Sequence, residues 1–336
     1  MIPSKFLLNN KRQLSASSKV WKATIRMPEF RPSMALIPPI FDIDKATESV
    51  IELIQQHNGQ VLVITGAGIS TDSGIPDYRG ESGTYIRNPK HRPILYHELT
   101  SSEQFRQRYW ARGFLGWNDM VKAKPNPSHV ALSSLLEANF IQNIITQNVD
   151  HLHHFAGTNP NRIIELHGTL HLVECMVCKH SVDRTSYQHR LIAHNPSWAD
   201  YQRQLAFKGE KPMINPDGDV DLPGNISYEN FSIPTCTQCS STMMKPKVIF
   251  FGESIPKSIH QAAESMVYQA KAVLVIGSSL ATYSSYRLVR LAKELGKPIG
   301  LLTSGATRAD DISHWKAYVR CMPVLERVVS HLLETS

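Results

Sequence analysis

The sequence VLVITGAGIS, residues 61–70, joins a continuous apolar run to a glycine-rich turn. Residues 61–65 are apolar or β-branched without alternation, which is typical of a strand buried on both faces of a parallel sheet. Gly66 and Gly68 would let the backbone approach a pyrophosphate at the start of a helix. Because Thr71 stands where a dinucleotide-binding turn has its third glycine, a purely structural turn is the alternative.

Similar apolar runs recur along the chain and predict further strands of the same sheet. They are residues 141–146, 248–251, 272–276 and 299–303. Apolar residues at helical spacing predict helices between and around them, beginning at Asp44, Pro256, Tyr286 and Pro323. Strands that alternate with helices predict an α/β protein with a Rossmann-like, doubly wound parallel sheet.

Four of the five cysteines form two Cys-x-x-Cys pairs, Cys175 with Cys178 and Cys236 with Cys239. Together the pairs can hold one tetrahedral zinc ion through thiolates alone. A thioredoxin-type redox site is the alternative, but it uses a single pair. With all four positions filled by sulfur, such a zinc ion would be structural and would leave the chemistry to other residues.

The stretch that holds these cysteines, residues 171–245, is polar and weakly periodic, and we expect it to be an inserted zinc module. Residues 41–170 and 246–336 would then form one Rossmann-like domain.

Residues 1–40 differ from the rest of the chain in composition. The first 28 residues carry six basic side chains and no acidic one, although the whole chain has a net charge of only +7. This composition predicts a mitochondrial presequence and a location in the matrix; a disordered basic tail is the alternative.

Charge and hydropathy also bear on partners. Outside the leader, basic and acidic residues nearly balance, which argues against a nucleic-acid partner because phosphate contacts demand a basic surface. The apolar runs are far shorter than the roughly 20 residues that span a bilayer, so no membrane partner is expected. A zinc-ribbon nucleic-acid-binding protein is therefore the weaker alternative to an enzyme.

Polar residues follow one of the predicted strands directly. Gln147, Asn148 and Asp150 come after the run that ends at Thr146 and could hold a sugar and a carboxamide at the edge of the sheet. His167 could act as a general base, because an imidazole titrates near neutrality. Three further histidines lie within residues 151–154, but no carboxylate stands at a spacing that would complete a metal site there.

Taken in order, these motifs resemble the signature of the sirtuin family. The motifs are GAGIS at 66–70, SGIPDYR at 73–79, TQNVD at 146–150, LHG at 166–168, the two cysteine pairs, FFGE at 250–253 and GSSL at 277–280. Within the family, class II sirtuins of the mitochondrial sirtuin-4 branch are the most similar. That similarity rests on Tyr78, RYWAR at 108–112, PDGDV at 216–220 and SSYR at 284–287.

The resemblance implies an NAD-dependent protein-lysine deacylase that transfers the acyl group to ADP-ribose and releases nicotinamide, with NAD and one structural zinc as cofactors. It implies His167, Asn148 and Asp150 as catalytic residues. The implied NAD-binding residues are Gly66, Ala67, Gly68, Ser70, Asp77, Tyr78, Arg79, Tyr85, Gln147, Asn148, Val149, Asp150, Gly277, Ser278, Ser279, Thr303, Ser304, Gly305 and Cys321. For Cys321, a small buried hydrophobic residue is the alternative.

The resemblance also implies acylated-lysine protein substrates, here expected to be mitochondrial metabolic enzymes. The peptide would add as a strand beside Phe251, Gly252 and Glu253. Tyr85 and Arg87 would face the acyl group, which favours acyl groups larger than acetyl, of the lipoyl, biotinyl or methylglutaryl type. A solvated Arg87 on a charged loop is the alternative. Mono-ADP-ribosyl transfer to a protein is the alternative, because the same NAD site would serve it.

Overall fold

The computed structural model describes residues 37–222 and 226–334. Its larger sheet is formed by strands β1 (Val61–Thr65), β2 (Asn143–Thr146), β3 (Ile163–Glu165), β7 (Ala272–Ile276), β8 (Ile299–Thr303) and β9 (Trp315–Tyr318). All neighbouring strands of this sheet are parallel, in the order β3-β2-β1-β7-β8-β9. The order reverses direction at β1, which confirms the predicted doubly wound, Rossmann-like sheet.

A second, antiparallel sheet consists of β4 (Gly168–Cys175), β5 (Ser181–Asp183) and β6 (Met244–Val248), with β4 in the centre. The prediction that residues 248–251 form a strand of the parallel sheet was therefore wrong. Val248 pairs antiparallel with Gly168, and the backbone N–H of Ile249 donates to the carbonyl of His167 at 2.8 Å. An apolar run indicates burial but does not say which sheet buries it.

Eleven α-helices lie in the described part of the chain. They are α1 (Ile43–Gln56), α2 (Thr84–Arg87), α3 (Tyr96–Ser101), α4 (Glu103–Lys122), α5 (Pro127–Glu137), α6 (Leu152–Phe155), α7 (Arg184–His194), α8 (Pro196–Phe207), α9 (Lys257–Gln269), α10 (Tyr283–Glu294) and α11 (Cys321–Glu334). None of them combines the length and the apolar character that crossing a membrane requires. Short 3₁₀ turns occur at Ala67–Ile69, Thr71–Ser73 and Pro160–Arg162.

Some helix starts differ from the predicted ones. The N-cap of α1 is Asp42, whose carboxylate accepts from the backbone N–H of Lys45 at 2.9 Å, so the predicted cap at Asp44 was wrong. The last helix begins at Cys321 instead of Pro323, and α10 begins at Tyr283 instead of Tyr286. In each case the helix starts upstream of the predicted residue, because the first turn of a helix need not follow its apolar period.

The core has three parts. Helices α1, α5 and α11 pack an apolar cluster on one face of the parallel sheet, and α9 and α10 pack another on the opposite face. All five residues of β1 are buried, as expected for a central strand covered on both sides. A third cluster joins α4 and α7 to the small sheet and contains the buried rings of Trp110 and Tyr187.

Two glycine turns meet at the carboxyl ends of β1 and β7. The N–H of Gly68 donates to the carbonyl of Gly277 at 2.9 Å. A Cβ on Gly68 would lie 2.8 Å from that oxygen, and Gly277 has a φ of +60°. Both positions therefore require glycine, and the requirement brings two segments far apart in sequence to the same sheet edge.

Candidate active site

The carboxylate of Asp150 lies at the end of β2, with only 4% of the residue exposed. Its Oδ2 accepts from the hydroxyl of Ser70 at 2.7 Å, and its Oδ1 accepts from the backbone N–H of Leu152 at 3.0 Å. The Ser70 oxygen in turn accepts from the amide Nδ2 of Asn148 at 3.0 Å. Burial raises the pKa of Asp150, and the hydrogen bond from Ser70 partly opposes that shift.

His129 completes this network, although the sequence analysis did not identify it. Its Nδ1 accepts from the N–H of Asn126 at 3.3 Å, so Nε2 carries the proton and points to the Ser70 hydroxyl at 3.4 Å. Burial lowers the pKa of His129 to about 4, which keeps the ring neutral. The contact joins helix α5 to the glycine turn 59 residues earlier. No local pattern would have revealed it.

His167 is joined to the backbone next to this network. Its Nδ1 is 3.0 Å from the carbonyl oxygen of Gln147. Because a carbonyl only accepts, Nδ1 carries the ring proton and Nε2 presents a lone pair. The hydroxyl of Ser284, 2.8 Å away, donates to that lone pair. Burial lowers the pKa of His167 to about 4, so the imidazole is a neutral base at physiological pH.

Ser284 begins the SSYR motif at residues 284–287, which resembles one sirtuin branch but predicts no contact with His167. The structure brings it to the predicted base across 117 residues of sequence. Gln147 makes a second link to the same part of the chain, because its amide donates to the Ser278 hydroxyl at 2.8 Å and to the Thr65 carbonyl at 3.1 Å. The ends of β1, β2 and β7 are thus joined by side-chain hydrogen bonds.

The loop after the first glycine turn is held by its own contacts. The backbone N–H groups of Thr84 and Tyr85 donate to the carbonyls of Asp77 and Tyr78, at 2.9 and 3.0 Å. The rings of Tyr78 and Tyr85 stack with their centroids 5.9 Å apart. The guanidinium of Arg79 lies 5.4 Å from the Tyr85 ring centroid. This segment is therefore ordered around two aromatic rings.

Arg79 also links the loop to the second glycine turn, since it donates to the Ser279 hydroxyl at 3.4 Å. The remaining residues predicted to bind the cofactor have less distinctive surroundings. Val149 gives its carbonyl to the N–H of Leu170 at 2.9 Å. The Thr303 hydroxyl donates to the carbonyl of Gly305 at 2.6 Å. The other placements are Ala67 in a 3₁₀ turn, an exposed Ser304, and a buried Cys321 whose pKa burial raises to about 11.

The residues predicted to bind the acyl group and the peptide lie in two places. Arg87 donates to the carbonyls of Ser82 and Ile214, at 2.9 and 3.3 Å, and so ties α2 to another loop. The carbonyl of Phe251 accepts from the N–H of Tyr96 at 2.9 Å. Gly252 follows in a left-handed conformation, with a φ of +83°.

Glu253 points inward to a buried lysine. Its carboxylate is 3.2 Å from the ammonium of Lys245, and it accepts from the N–H of Phe250 at 3.0 Å. Only 4% of the Lys245 side chain is exposed, so the ion pair is largely shielded from solvent. The pair fixes the turn at residues 250–253, and it makes Glu253 a support of that segment.

The four cysteines come together at the end of the small sheet. Cys175 and Cys239 have their sulfurs 3.6 Å apart, as do Cys178 and Cys236, and all four sulfurs lie within 4.8 Å of one another. Zinc–sulfur bonds of about 2.3 Å place tetrahedral sulfurs about 3.8 Å apart, so the cluster fits a structural zinc ion. The separations are far too long for disulfide bonds.

Both cysteine pairs use the same local turn. The N–H of Cys175 donates to the carbonyl of His180 at 2.9 Å, and the N–H of Cys236 donates to the carbonyl of Ser241 at 2.8 Å. The residue after each second cysteine is left-handed, with φ values of +63° at Lys179 and +57° at Ser240. Two matching turns thus present four thiolates to one ion.

Comparison with known proteins agrees with this geometry. The family model described as the Sir2 family matches residues 66–284. An NAD-dependent protein deacylase SIR4 from Batrachochytrium dendrobatidis is 42% identical over 86% of this chain and 95% of its own. The NAD-dependent protein deacylase Sirt4 of Drosophila melanogaster is 42% identical over 80% of this chain and 82% of its own.

Solved structures of Sir2 enzymes share the fold. One with 26% sequence identity covers 88% of this chain and 100% of its own, with a TM-score of 0.63. A Sir2 protein solved with a peptide and NAD⁺ has 25% identity, covers 86% of this chain and 99% of its own, and has a TM-score of 0.62. With its two cysteine pairs gathered for zinc, the chain belongs to the sirtuin (Sir2) family of NAD-dependent protein deacylases.

Proposed function

We propose that the enzyme transfers an acyl group from protein lysine to ADP-ribose and that His167 is its general base. The observation that carries this proposal is the tautomer of His167. With the Nδ1 proton engaged by the Gln147 carbonyl, the Nε2 lone pair accepts from the Ser284 hydroxyl and can take a proton from a substrate hydroxyl that replaces it. The low pKa of about 4 keeps that lone pair available at neutral pH.

NAD, when bound, supplies the ribose carbon from which nicotinamide leaves. The chain's own groups would bind and orient it. Asp150 is held on both carboxylate oxygens and has further lone pairs for the N–H groups of a carboxamide. The backbone of residues 66–70 would hold the pyrophosphate, and residues 277–279 and 303–305 would hold the adenosine. The zinc held by the four cysteines would add no chemistry, because thiolates fill its coordination sphere.

We propose a preference for acyl groups longer or more acidic than acetyl. The support is a cavity of about 330 Å³ whose cationic lining residues include Lys90, Arg108 and Arg112. His91 lines the same cavity, and its ring centroid lies 5.7 Å from that of Tyr85. His91 therefore separates the cavity from Tyr85, which lies on the loop predicted to face the acyl group.

Within the cavity, Arg108 is the best partner for an acyl carboxylate. Arg112 is already paired, at 2.8 Å with Asp219 and 3.2 Å with Asp221. No carboxylate within residues 37–222 or 226–334 forms an ion pair with Arg108, and both burial and the nearby Arg112 lower its pKa. An anionic substrate group would relieve this unbalanced charge. Arg87, the residue chosen from sequence, donates instead to backbone carbonyls.

We further propose that the enzyme acts in the mitochondrial matrix on metabolic enzymes, with residues 171–245 as an inserted zinc module. The localisation rests on the acid-free, basic leader, of which residues 1–36 lie outside the described residues. A fusion of residues 1–40 to a fluorescent reporter should enter mitochondria. A fusion that stays in the cytosol would refute the localisation.

The decisive test of the reaction is mass spectrometry of the products formed from NAD and a panel of acyl-lysine peptides. We expect acyl-ADP-ribose and free nicotinamide in equal amounts. Mono-ADP-ribosylation would instead add the mass of ADP-ribose to a protein, without any acyl-ADP-ribose. Nicotinamide release with a modified protein and unchanged acyl peptides would therefore reject the proposal in favour of that alternative.

A further inference from the structure

Three polar side chains meet beside the active site without a role in it. The Nδ1 of His151 lies 2.7 Å from Oε1 of Glu165, and the Nε2 of His154 lies 3.9 Å from the same oxygen. The two imidazole rings stack with centroids 4.2 Å apart. One ligand atom from each residue lies within 4.8 Å of the ligand atoms of the other two.

The carboxylate of Glu165 could not be assigned to these histidines from the spacing of residues in the sequence. Glu165 ends β3, whose parallel pairing with β2 sets Thr146 opposite Glu165. The histidines follow the end of β2, so the two strands carry the three ligands to one edge. The sequence around the histidines shows no completing carboxylate, because a carboxylate from a neighbouring strand leaves no fixed spacing in the sequence.

We propose that His151, His154 and Glu165 form a second metal site that takes one divalent transition-metal ion of the Zn²⁺ class. Imidazole and carboxylate together suit Zn²⁺, Ni²⁺ or Co²⁺ far better than Mg²⁺. The ion would replace the proton shared by His151 and Glu165. The three side chains are 28%, 22% and 15% exposed, so an ion can reach them from solvent.

Three protein ligands leave one tetrahedral position for water, so this ion should exchange readily, unlike one held by four thiolates. The backbone favours the arrangement. His151 has a φ of +65°, a conformation uncommon for a residue with a side chain, and it turns the ring toward Glu165. In addition, the His171 ring lies 5.4 Å from that of His151 and could provide a further nitrogen after a side-chain rotation.

The position of the ion would couple it to Asp150, which the proposed function assigns to the carboxamide of nicotinamide. His151 directly follows Asp150, and Glu165 stands two residues before His167. The Nε2 of His171 contacts the carbonyl oxygen of Asp150 at 3.2 Å. An ion that joins the ends of β2 and β3 would therefore hold the segments of Asp150 and His167 against each other. Its occupancy should change the inhibition of deacylation by nicotinamide.

The test titrates the folded enzyme, purified with one zinc per chain, with Zn²⁺ and separately with Ni²⁺ in a calorimeter. We expect one additional ion per chain and no binding of Mg²⁺. His154→Ala and Glu165→Gln should each weaken this binding at least tenfold. His260→Ala is the matched control, because His260 lies 3.2 Å from Glu264 as a histidine–carboxylate pair without a third ligand among the described residues. It should bind the second ion like the wild type.

Glu165→Gln keeps the size of the side chain and carries the test if His154→Ala fails to fold. In the wild type, added Zn²⁺ should shift the half-inhibitory concentration of nicotinamide at least threefold, and the shift should vanish in Glu165→Gln. Absence of a second ion, or equal binding in the wild type and Glu165→Gln, would overturn the site. A second ion that leaves nicotinamide inhibition unchanged would overturn the coupling.

Discussion

The hydroxyl of Ser284 lies 2.8 Å from Nε2 of His167, on the nitrogen through which a general base must act. With the Nδ1 proton directed at the Gln147 carbonyl, the serine can only donate to this lone pair. Ser284 therefore occupies the position that a reacting hydroxyl would take. Substrate binding must displace the serine hydroxyl or share the nitrogen with it.

His167→Ala should abolish deacylation while NAD binding survives, and His167→Tyr should do the same. A general base contributes about 10²–10⁴-fold to rate and acts in the transition state more than on the bound cofactor. Acyl-ADP-ribose formation should be measured by mass spectrometry, and NAD affinity by calorimetry. Undiminished product from the alanine variant would contradict the assignment.

Ser284→Ala should move the acid limb of the pH–rate profile to higher pH. A hydrogen bond donated to Nε2 stabilises the neutral ring, so its loss raises the pKa of His167 above about 4 and toward the ordinary value. In the wild type, kcat/KM should be independent of His167 ionisation at neutral pH and should fall only as pH approaches 4. Ser285→Ala is the control, because Ser285 bonds to Thr282 and not to the histidine. Identical profiles for the wild type and Ser284→Ala would contradict the role given to this contact.

His129 should make stability depend on pH between about 4 and 6.5. Its folded pKa of about 4 lies below the unfolded value, so the unfolded state binds a proton that the folded state excludes. The resulting stability is complete above pH 6.5 and is lost as pH falls toward 4. Each such group contributes a slope of about 1.4 kcal/mol per pH unit in the free energy of unfolding.

Asp217, whose pKa burial raises from 3.8 to about 7, contributes with the opposite sign over the whole of this range. The measurement is therefore the difference in urea unfolding between the wild type and His129→Asn at several pH values. The slope should be smaller in the variant, by about 1.4 kcal/mol per pH unit. His189→Asn, which changes an exposed histidine, should leave the slope unchanged.

Removal of zinc should unfold the region around the small sheet. Structural zinc supplies about 10–16 kcal/mol of binding free energy that is also folding free energy. Metal analysis of the enzyme as purified should find one zinc per chain held by the cysteines, and Cys236→Ser or chelation should release it. Circular dichroism and proteolysis would report the unfolding. A folded, metal-free enzyme would show that the thiolates do not bind a structural ion.

Arg108→Ala should selectively reduce activity on acyl groups that end in a carboxylate. A charged hydrogen bond is worth about 1.5–3 kcal/mol, which corresponds to a loss of about ten- to hundredfold in kcat/KM on such substrates and little change on acetyl-lysine. Arg87→Ala is the matched comparison, since the sequence alone favoured that residue. If Arg87→Ala selectively loses activity on carboxyacyl-lysine instead, Arg87 and not Arg108 binds the acyl carboxylate. Equal efficiency of the wild type on acetyl- and carboxyacyl-lysine would refute the preference itself.

Local pattern was sufficient for the central strands of the fold. Strands β1, β7 and β8 have the predicted bounds, because each is buried on both faces and therefore apolar throughout. Strands β3 and β9 were missed. They have three and four residues, and edge strands this short are too short to show a period in the sequence.

The residues of the candidate site likewise include some that the sequence predicts and some that it does not. Asn148, Asp150 and His167 stand in short contiguous motifs, so the sequence alone could nominate them. Ser284 and His129 lie on helices that are distant in sequence from their partners, 117 residues from His167 and 59 residues from Ser70. Only the folded chain brings them to the site. Arg108 belongs to the RYWAR motif at residues 108–112. That it has no carboxylate partner among the described residues depends on the fold, so no sequence pattern could predict it.

The hydrogen bond from Ile249, the residue after β6, to the carbonyl of His167 joins the small sheet to the proposed base. Gly168 fits there because a Cβ would lie 2.1 Å from the Lys247 carbonyl oxygen, so the strand and the base meet without a side chain between them. The backbone of His167 is thus held at the end of β6, and β6 pairs with β4, the strand that ends at the zinc ligand Cys175. Because β4 begins beside His167 and ends at Cys175, we expect a distortion at the thiolates to displace the backbone of the proposed base as well.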